Sequence, residues 1–182
     1  MNLEVALRTF VDIEASGLDQ TNSYPIEIGW SDTLGNQDNF LIKPLASWSY
    51  WDPNAQLIHS ISREELLSDG LSVKEAAMRL NSSLGGETVY CDALDFDGFW
   101  LKRLFKAAEM EMTFTLVDVF NLYAEMSKEE FLIMQRYLND NPASHRKQKG
   151  GCFLSCSFLI LGYVVLTSMR GSFIRIHKYD YS

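Results

Sequence analysis

Two carboxylates stand one residue apart in Phe10-Val11-Asp12-Ile13-Glu14, at the end of an apolar run. On a β-strand, positions i and i+2 point to one face, so Asp12 and Glu14 project side by side. Like charges held that way repel unless a cation sits between them, and hard divalent ions such as Mg²⁺ and Mn²⁺ prefer carboxylate and water oxygens. A strand end turning into solvent, with both acids hydrated, is the plainer reading of the same residues. A second acidic group, Asp92, Asp95 and Asp97, falls between an expected strand and an expected helix. Asp97 stands at the helix entrance, where an aspartate accepts the free amides of the first turn and sits well in the helix dipole. Capping and metal binding are compatible there.

The elements that must position these acids follow from pattern and turn chemistry. Val5 to Asp12 reads as a buried strand, and Tyr24 to Trp30 and Phe40 to Lys43 as two more. The links Ser16-Gly17 with Asp19 to Asn22, and Asp32 to Asn36, are rich in turn residues. Short links favour antiparallel neighbours, so the first third is expected to be a three-stranded meander. Ser62 with Glu65 is a capping box opening a short helix. Val73, Ala76, Ala77, Leu80 and Leu84 have helical spacing, ended by Gly85-Gly86. Thr88 to Cys91 is expected as a strand, Phe99 to Ala108 as a helix, Thr113 to Val119 as a strand and Phe120 to Leu138 as mainly helical. Strands alternating with helices imply right-handed crossovers and parallel pairing. The expected class is therefore α/β: a mixed sheet of three antiparallel strands followed by parallel crossover strands, flanked by helices.

Bulk properties limit the partners. A chain of 182 residues, 47% hydrophobic, suits a packed core in one domain. Its formal charge of −8 removes whole-molecule attraction to a polyanion, so any nucleic acid is held by a local basic patch or by metal ions. Short or single-stranded nucleic acid fits that limit best. Cys91, Cys152 and Cys156 form no disulfide framework, and the N-terminus lacks the layout of a signal peptide, so a cytoplasmic setting is expected. Cys152 and Cys156 have no further Cys or nearby His to complete a zinc set.

Asp12-x-Glu14 on a first strand, Tyr24-Pro25-Ile26-Glu27-Ile28-Gly29 after it, Ile58-His59-Ser60-Ile61-Ser62, Phe96-Asp97 followed by Leu101, and a late His145 come in a telling order. Together they resemble the DEDDh 3′-to-5′ exonucleases of the ribonuclease H-like fold, over Val5 to about Arg146. The resemblance implies a metal-dependent 3′-to-5′ exonuclease that releases nucleoside monophosphates by two-metal phosphodiester hydrolysis, with Mg²⁺ or Mn²⁺ as cofactor. It implies that Asp12 bridges both ions, that Glu14 holds the one nearer the nucleophile, that Asp97 holds the other, and that His145 is the general base.

Other residues are read more plainly. His59 orders its loop, His177 is a solvated residue in a basic tail, and Asp118 orders the helix after it. Leu18, Tyr24, Trp48, Trp51 and Trp100 are candidate stacking surfaces, most of them expected in core or rim packing. Lys43, Arg63, Lys102, Arg103 and Lys106 are the nearest cations.

One position departs from the family. The last metal-binding aspartate should follow the histidine by five residues, and Gly150 stands there. The second ion is then weakened, and a ribonuclease H-like module that binds nucleic acid or protein with little or no catalysis is the alternative. Residues 1–146 are expected to form the exonuclease-like domain. Residues 147–182 are expected to be an atypical apolar segment packed on it, and the abrupt end of the likeness at Arg146 is what a frameshift or altered splice would produce. Within that tail, 151–169 is uncharged and near the length that spans a bilayer, which makes a membrane anchor the minor alternative to a buried helix or strand pair.

Overall fold

The computed structural model describes residues 7–125. Five strands and five helices follow in the order β1 (Thr9–Ala15), β2 (Pro25–Asp32), β3 (Gln37–Leu41), α1 (Pro53–His59), α2 (Arg63–Asp69), α3 (Val73–Leu84), β4 (Thr88–Cys91), α4 (Leu94–Ala107), β5 (Thr115–Asp118) and α5 (Phe120–Glu125). The strands form one sheet in the order β3-β2-β1-β4-β5. The β1–β2 and β2–β3 pairs are antiparallel, whereas β1–β4 and β4–β5 are parallel. This is the mixed sheet expected from the sequence.

Alternation along β1 divides the two faces. Val11, Ile13 and Ala15 join Ile26, Ile28, Val89 and Cys91 in a buried cluster with Ala76, Ala77 and Leu80 of α3 and Leu101, Leu104 and Phe105 of α4. Full burial of one such aliphatic side chain is worth about 1.5–3 kcal/mol, so this layer fixes how the sheet sits on its helices. Phe10, Asp12 and Glu14 point the other way, and the Phe10 ring lies 5.8 Å from that of Tyr90 on β4.

Local chemistry sets the helix ends. Ser62 and Ser72 each close a capping box, with Glu65 and Glu75 respectively. Asp52 caps α1, its Oδ1 accepting the Asn54 amide at 2.8 Å while Pro53 takes the first helical position. That Asp-Pro signal is legible in the sequence, yet α1 was not among the expected elements. His59 accordingly ends a helix instead of lying in a loop.

Two expected boundaries move in a way that matters for the acids. β1 runs through Glu14 to Ala15, so both carboxylates lie within the strand and not at its solvent-turned end. The helix expected from Phe99 begins at Leu94, with Ala93 as its cap residue and no side-chain cap bond. Asp97 lies one turn inside, its own amide donating to the Ala93 carbonyl at 2.8 Å. It is not the cap residue.

The segment 126–182 lies outside the described residues, and with it the end of the expected helix to Leu138, His145, Gly150, His177 and the apolar tail. Among the described residues no helix is long and apolar enough to cross a membrane.

Candidate metal centre

Strand β4 delivers the acid that sequence reading did not assign. The parallel β1–β4 register pairs Thr9 with Val89 and Phe10 with Tyr90; continued by two residues it sets Asp12 beside Asp92. The first turn of α4 then brings Asp97 back to the same place. Carboxylate oxygens of Asp12, Asp92 and Asp97 lie within 4.8 Å of one another. Asp12 and Asp97 are both 0% exposed, and Asp92 is half-buried.

Three carboxylates, two of them inaccessible, form a donor set of hard oxygens, which fits a divalent cation. Burying charge without compensation is costly, and a cation is the most direct compensation for like charges this close. Asp12 and Asp97, both expected ligands, are thus brought together; Asp92 joins them. Glu14 is half-buried on the same face of β1, directly opposite Glu27 in the antiparallel register. The buried Cys91 thiol beside this group is pushed far up, first by burial and then by the negative charges of Asp97, Asp92 and Asp118. It stays a neutral thiol and offers no nucleophile.

The loop after β1 joins the strand that carries Asp12 and Glu14 to α4 and to the segment before α1. Its ends are tied by the Ser16 amide donating to the Tyr24 carbonyl at 2.9 Å and the Tyr24 amide donating to Ser16 Oγ at 3.1 Å. Asp19 orders its middle: Oδ1 accepts the Thr21 amide at 2.7 Å and Oδ2 the Asn22 side chain at 2.9 Å. The Asn22 bond, followed by the Thr21 one, holds the Asp19 carboxyl below its usual range. On one side Gln20 Nε2 donates to the Asp95 carbonyl of α4 at 3.3 Å. On the other, the Asp52 amide donates to the Ser16 carbonyl at 2.8 Å, and Tyr50 covers Gly17.

Of the stacking candidates, Tyr24, Trp48 and Trp100 are core residues at 5% exposure or less. Trp51 and Leu18 remain half-buried. His59 is buried, its Nδ1 accepting the Ile61 amide at 3.0 Å and its ring 5.8 Å from Trp51, edge-on. It orders its surroundings, as the sequence reading held. Asp118 Oδ1 accepts the Phe120 amide at 2.9 Å and starts α5, also as expected.

No family model and no curated protein matches the chain in sequence. Solved structures do match in fold. The zinc-bound complex of E. coli exonuclease I with single-stranded DNA superposes with a TM-score of 0.64 at 15% identity, over 92% of this chain and 42% of that one. The same enzyme with a dT13 oligonucleotide gives 0.63 at 14% identity, over 91% and 42%. A moderately thermophilic exonuclease I from Methylocaldum szegediense gives 0.61 at 15%, over 86% and 40%. The chain thus shares the exonuclease I-like, ribonuclease H-type fold and spans about two fifths of the length of these neighbours.

Proposed function

We propose that this chain is a metal-dependent 3′-to-5′ exonuclease acting on single-stranded or short nucleic acid, by two-metal phosphodiester hydrolysis. The observation that carries the reading is the convergence of Asp12, Asp92 and Asp97 within 4.8 Å on a fold shared with exonuclease I. Asp12, Glu14 and Asp97 hold Mg²⁺ or Mn²⁺, with Asp92 as a further ligand or as the group that orients one. Ions at this position supply charge that stabilises the entering and leaving oxygens of an in-line displacement. The buried sides of Asp12 and Asp97 keep water from competing for the carboxylates. His145 takes a proton from the attacking water.

The test is incubation of the protein with a 5′-labelled short oligonucleotide and Mg²⁺ or Mn²⁺, beside an Asp12→Ala control. Stepwise shortening from the 3′ end that vanishes in the control is the expected result; an intact substrate with both ions refutes the catalytic reading. Gly150 favours a second reading, a binding module of the same fold with little catalysis. Shortening of the oligonucleotide separates the two, and Gly150→Asp should then raise the rate if the helical register of the family is kept, whereas no response means that the tail does not form that helix.

A further inference from the structure

In a chain of formal charge −8, three described arginines lie over aromatic rings, and they differ in what neutralises them. Arg79, 5.0 Å from the Phe40 centroid, forks onto Asp38 through Nε and Nη2, each at 2.6 Å. Its charge is spent within the fold. Arg63 and Arg103 meet no carboxylate among the described residues. Arg63 donates from Nη1 to the Ser49 carbonyl at 3.1 Å and from Nη2 to the Trp48 carbonyl at 3.4 Å, with its guanidinium 5.8 Å from the Trp51 centroid. Arg103 donates from Nη1 to the Thr21 carbonyl at 2.7 Å and lies 5.7 Å from the Trp48 centroid. Both cations therefore meet at Trp48, one at its carbonyl and one at its ring.

Neutral carbonyls and ring faces fix a guanidinium without cancelling its charge, and they leave most of its five N–H donors for another acceptor. The position is as telling as the charge. Thr21 belongs to the loop that leaves β1 just past Glu14, and Asp52, next to Trp51, is bonded to Ser16 of that loop. Two pre-oriented cations, unpaired with any carboxylate among the described residues, are thus tied to the loop that starts two residues past Glu14 and to the segment bonded to it. We propose that Arg63 and Arg103 are a phosphate-binding lip that holds the backbone of a single nucleic-acid strand whose 3′ end lies at Asp12 and Asp97. The forked donors suit phosphate oxygens, and such contacts position a strand without reading its sequence. The inference rests on the nuclease reading for where the strand ends.

Binding is measured with a short labelled oligothymidylate protected by phosphorothioate linkages, over a series of salt concentrations. The negative slope of log K against log salt should shrink in magnitude by about 0.7 in Arg63→Gln, by about 0.7 in Arg103→Gln, and by about 1.4 in the double variant. Arg→Lys at both positions should keep the slope. Wild-type binding with an unchanged slope in the double variant overturns the lip alone. The expected slope changes without any shortening of an unprotected strand overturn catalysis and leave the lip standing. Failure of the wild-type protein to bind overturns both. Should the variants not fold, as judged by circular dichroism, modification of wild-type arginines by phenylglyoxal decides instead. The oligonucleotide should protect Arg63 and Arg103, and equal modification with and without it refutes the proposal.

Discussion

Glu27 on β2 stands directly opposite Glu14 on β1, so the two side chains leave the same face of the sheet at one register position. Glu27 is 3% exposed, and its Oε1 accepts from Asn39 Nδ2 at 3.4 Å. Directly opposed like charges cost roughly 0.2–1 kcal/mol even on open sheets. Glu27→Gln keeps the volume and removes one charge. The metal-free protein should unfold about 1 kcal/mol less readily in denaturant, and added Mn²⁺ should stabilise it less than it does the parent. A metal-free loss of stability would mean that the two carboxylates support each other.

Asp92 and Asp97 share the same small volume with Asp12. Asp97→Asn should stabilise the metal-free fold by on the order of 1 kcal/mol by relieving repulsion, and abolish the rise in unfolding temperature on adding Mn²⁺. Under the proposed function, its rate of strand shortening should fall on the order of 10²-fold or more, since even loss of a group that only orients a ligand costs 10–100-fold. Asp92→Asn should fall within that 10–100-fold range if it orients and beyond it if it ligates, which a rate and a Mn²⁺ titration together resolve.

Gly17 is a backbone requirement of the loop that follows Glu14. Its φ is +152°, and a Cβ there would lie 2.7 Å from Tyr50 Cε1 and 2.9 Å from Asp52 Cβ. Gly17→Ala should cost about 1–3 kcal/mol in denaturant unfolding and reduce turnover by displacing the loop. An unchanged midpoint would show that Tyr50 gives way freely.

Asp19 makes the same loop sensitive to acid. Its carboxyl is held below its usual value by the Asn22 side chain and then the Thr21 amide. A depressed folded-state value means a stabilising contribution present above the ordinary aspartate value of about 3.9 and lost as pH falls through the lower, folded one. Asp19→Asn should therefore lower stability slightly in the neutral region and flatten the acid limb below about pH 4, because the contribution that acid removes from the parent is absent throughout. Unfolding midpoints measured from pH 3 to 7 in both proteins show whether the limb persists.

Much of this fold is written locally. The helix Val73–Leu84 and the strand Thr88–Cys91 match the sequence reading at both ends, because a capping serine, a helical apolar stripe and a pair of glycines are all short-range signals. The Asp12/Asp97 partnership is legible only through the family order of motifs. Asp92 was visible as one of three acids between β4 and α4, but its closeness to Asp12 depends on which strands are neighbours and in what register. No spacing along the chain encodes that. The start of α4 was misjudged because Asp97 has the residue type of a cap, whereas the observed cap residue is Ala93, which makes no side-chain bond at all. His145, the expected general base, and Gly150, where the resemblance implies a fourth acid, lie outside the described residues.

The outer edge of β3 has a further consequence. Among the described residues β3 is a terminal strand of the sheet, the kind of surface on which identical chains can stack into polymers. Here its far end is already occupied, with the Leu71 amide donating to the Leu41 carbonyl at 2.9 Å and the Lys43 amide donating to the Leu71 carbonyl at 2.8 Å. Its near end carries Gln37, Asp38 and Asn39, with Asp38 gripped by Arg79 from α3. The arginine whose charge is spent inside the fold thus guards a border: it helps keep this sheet from being extended by a second copy of itself.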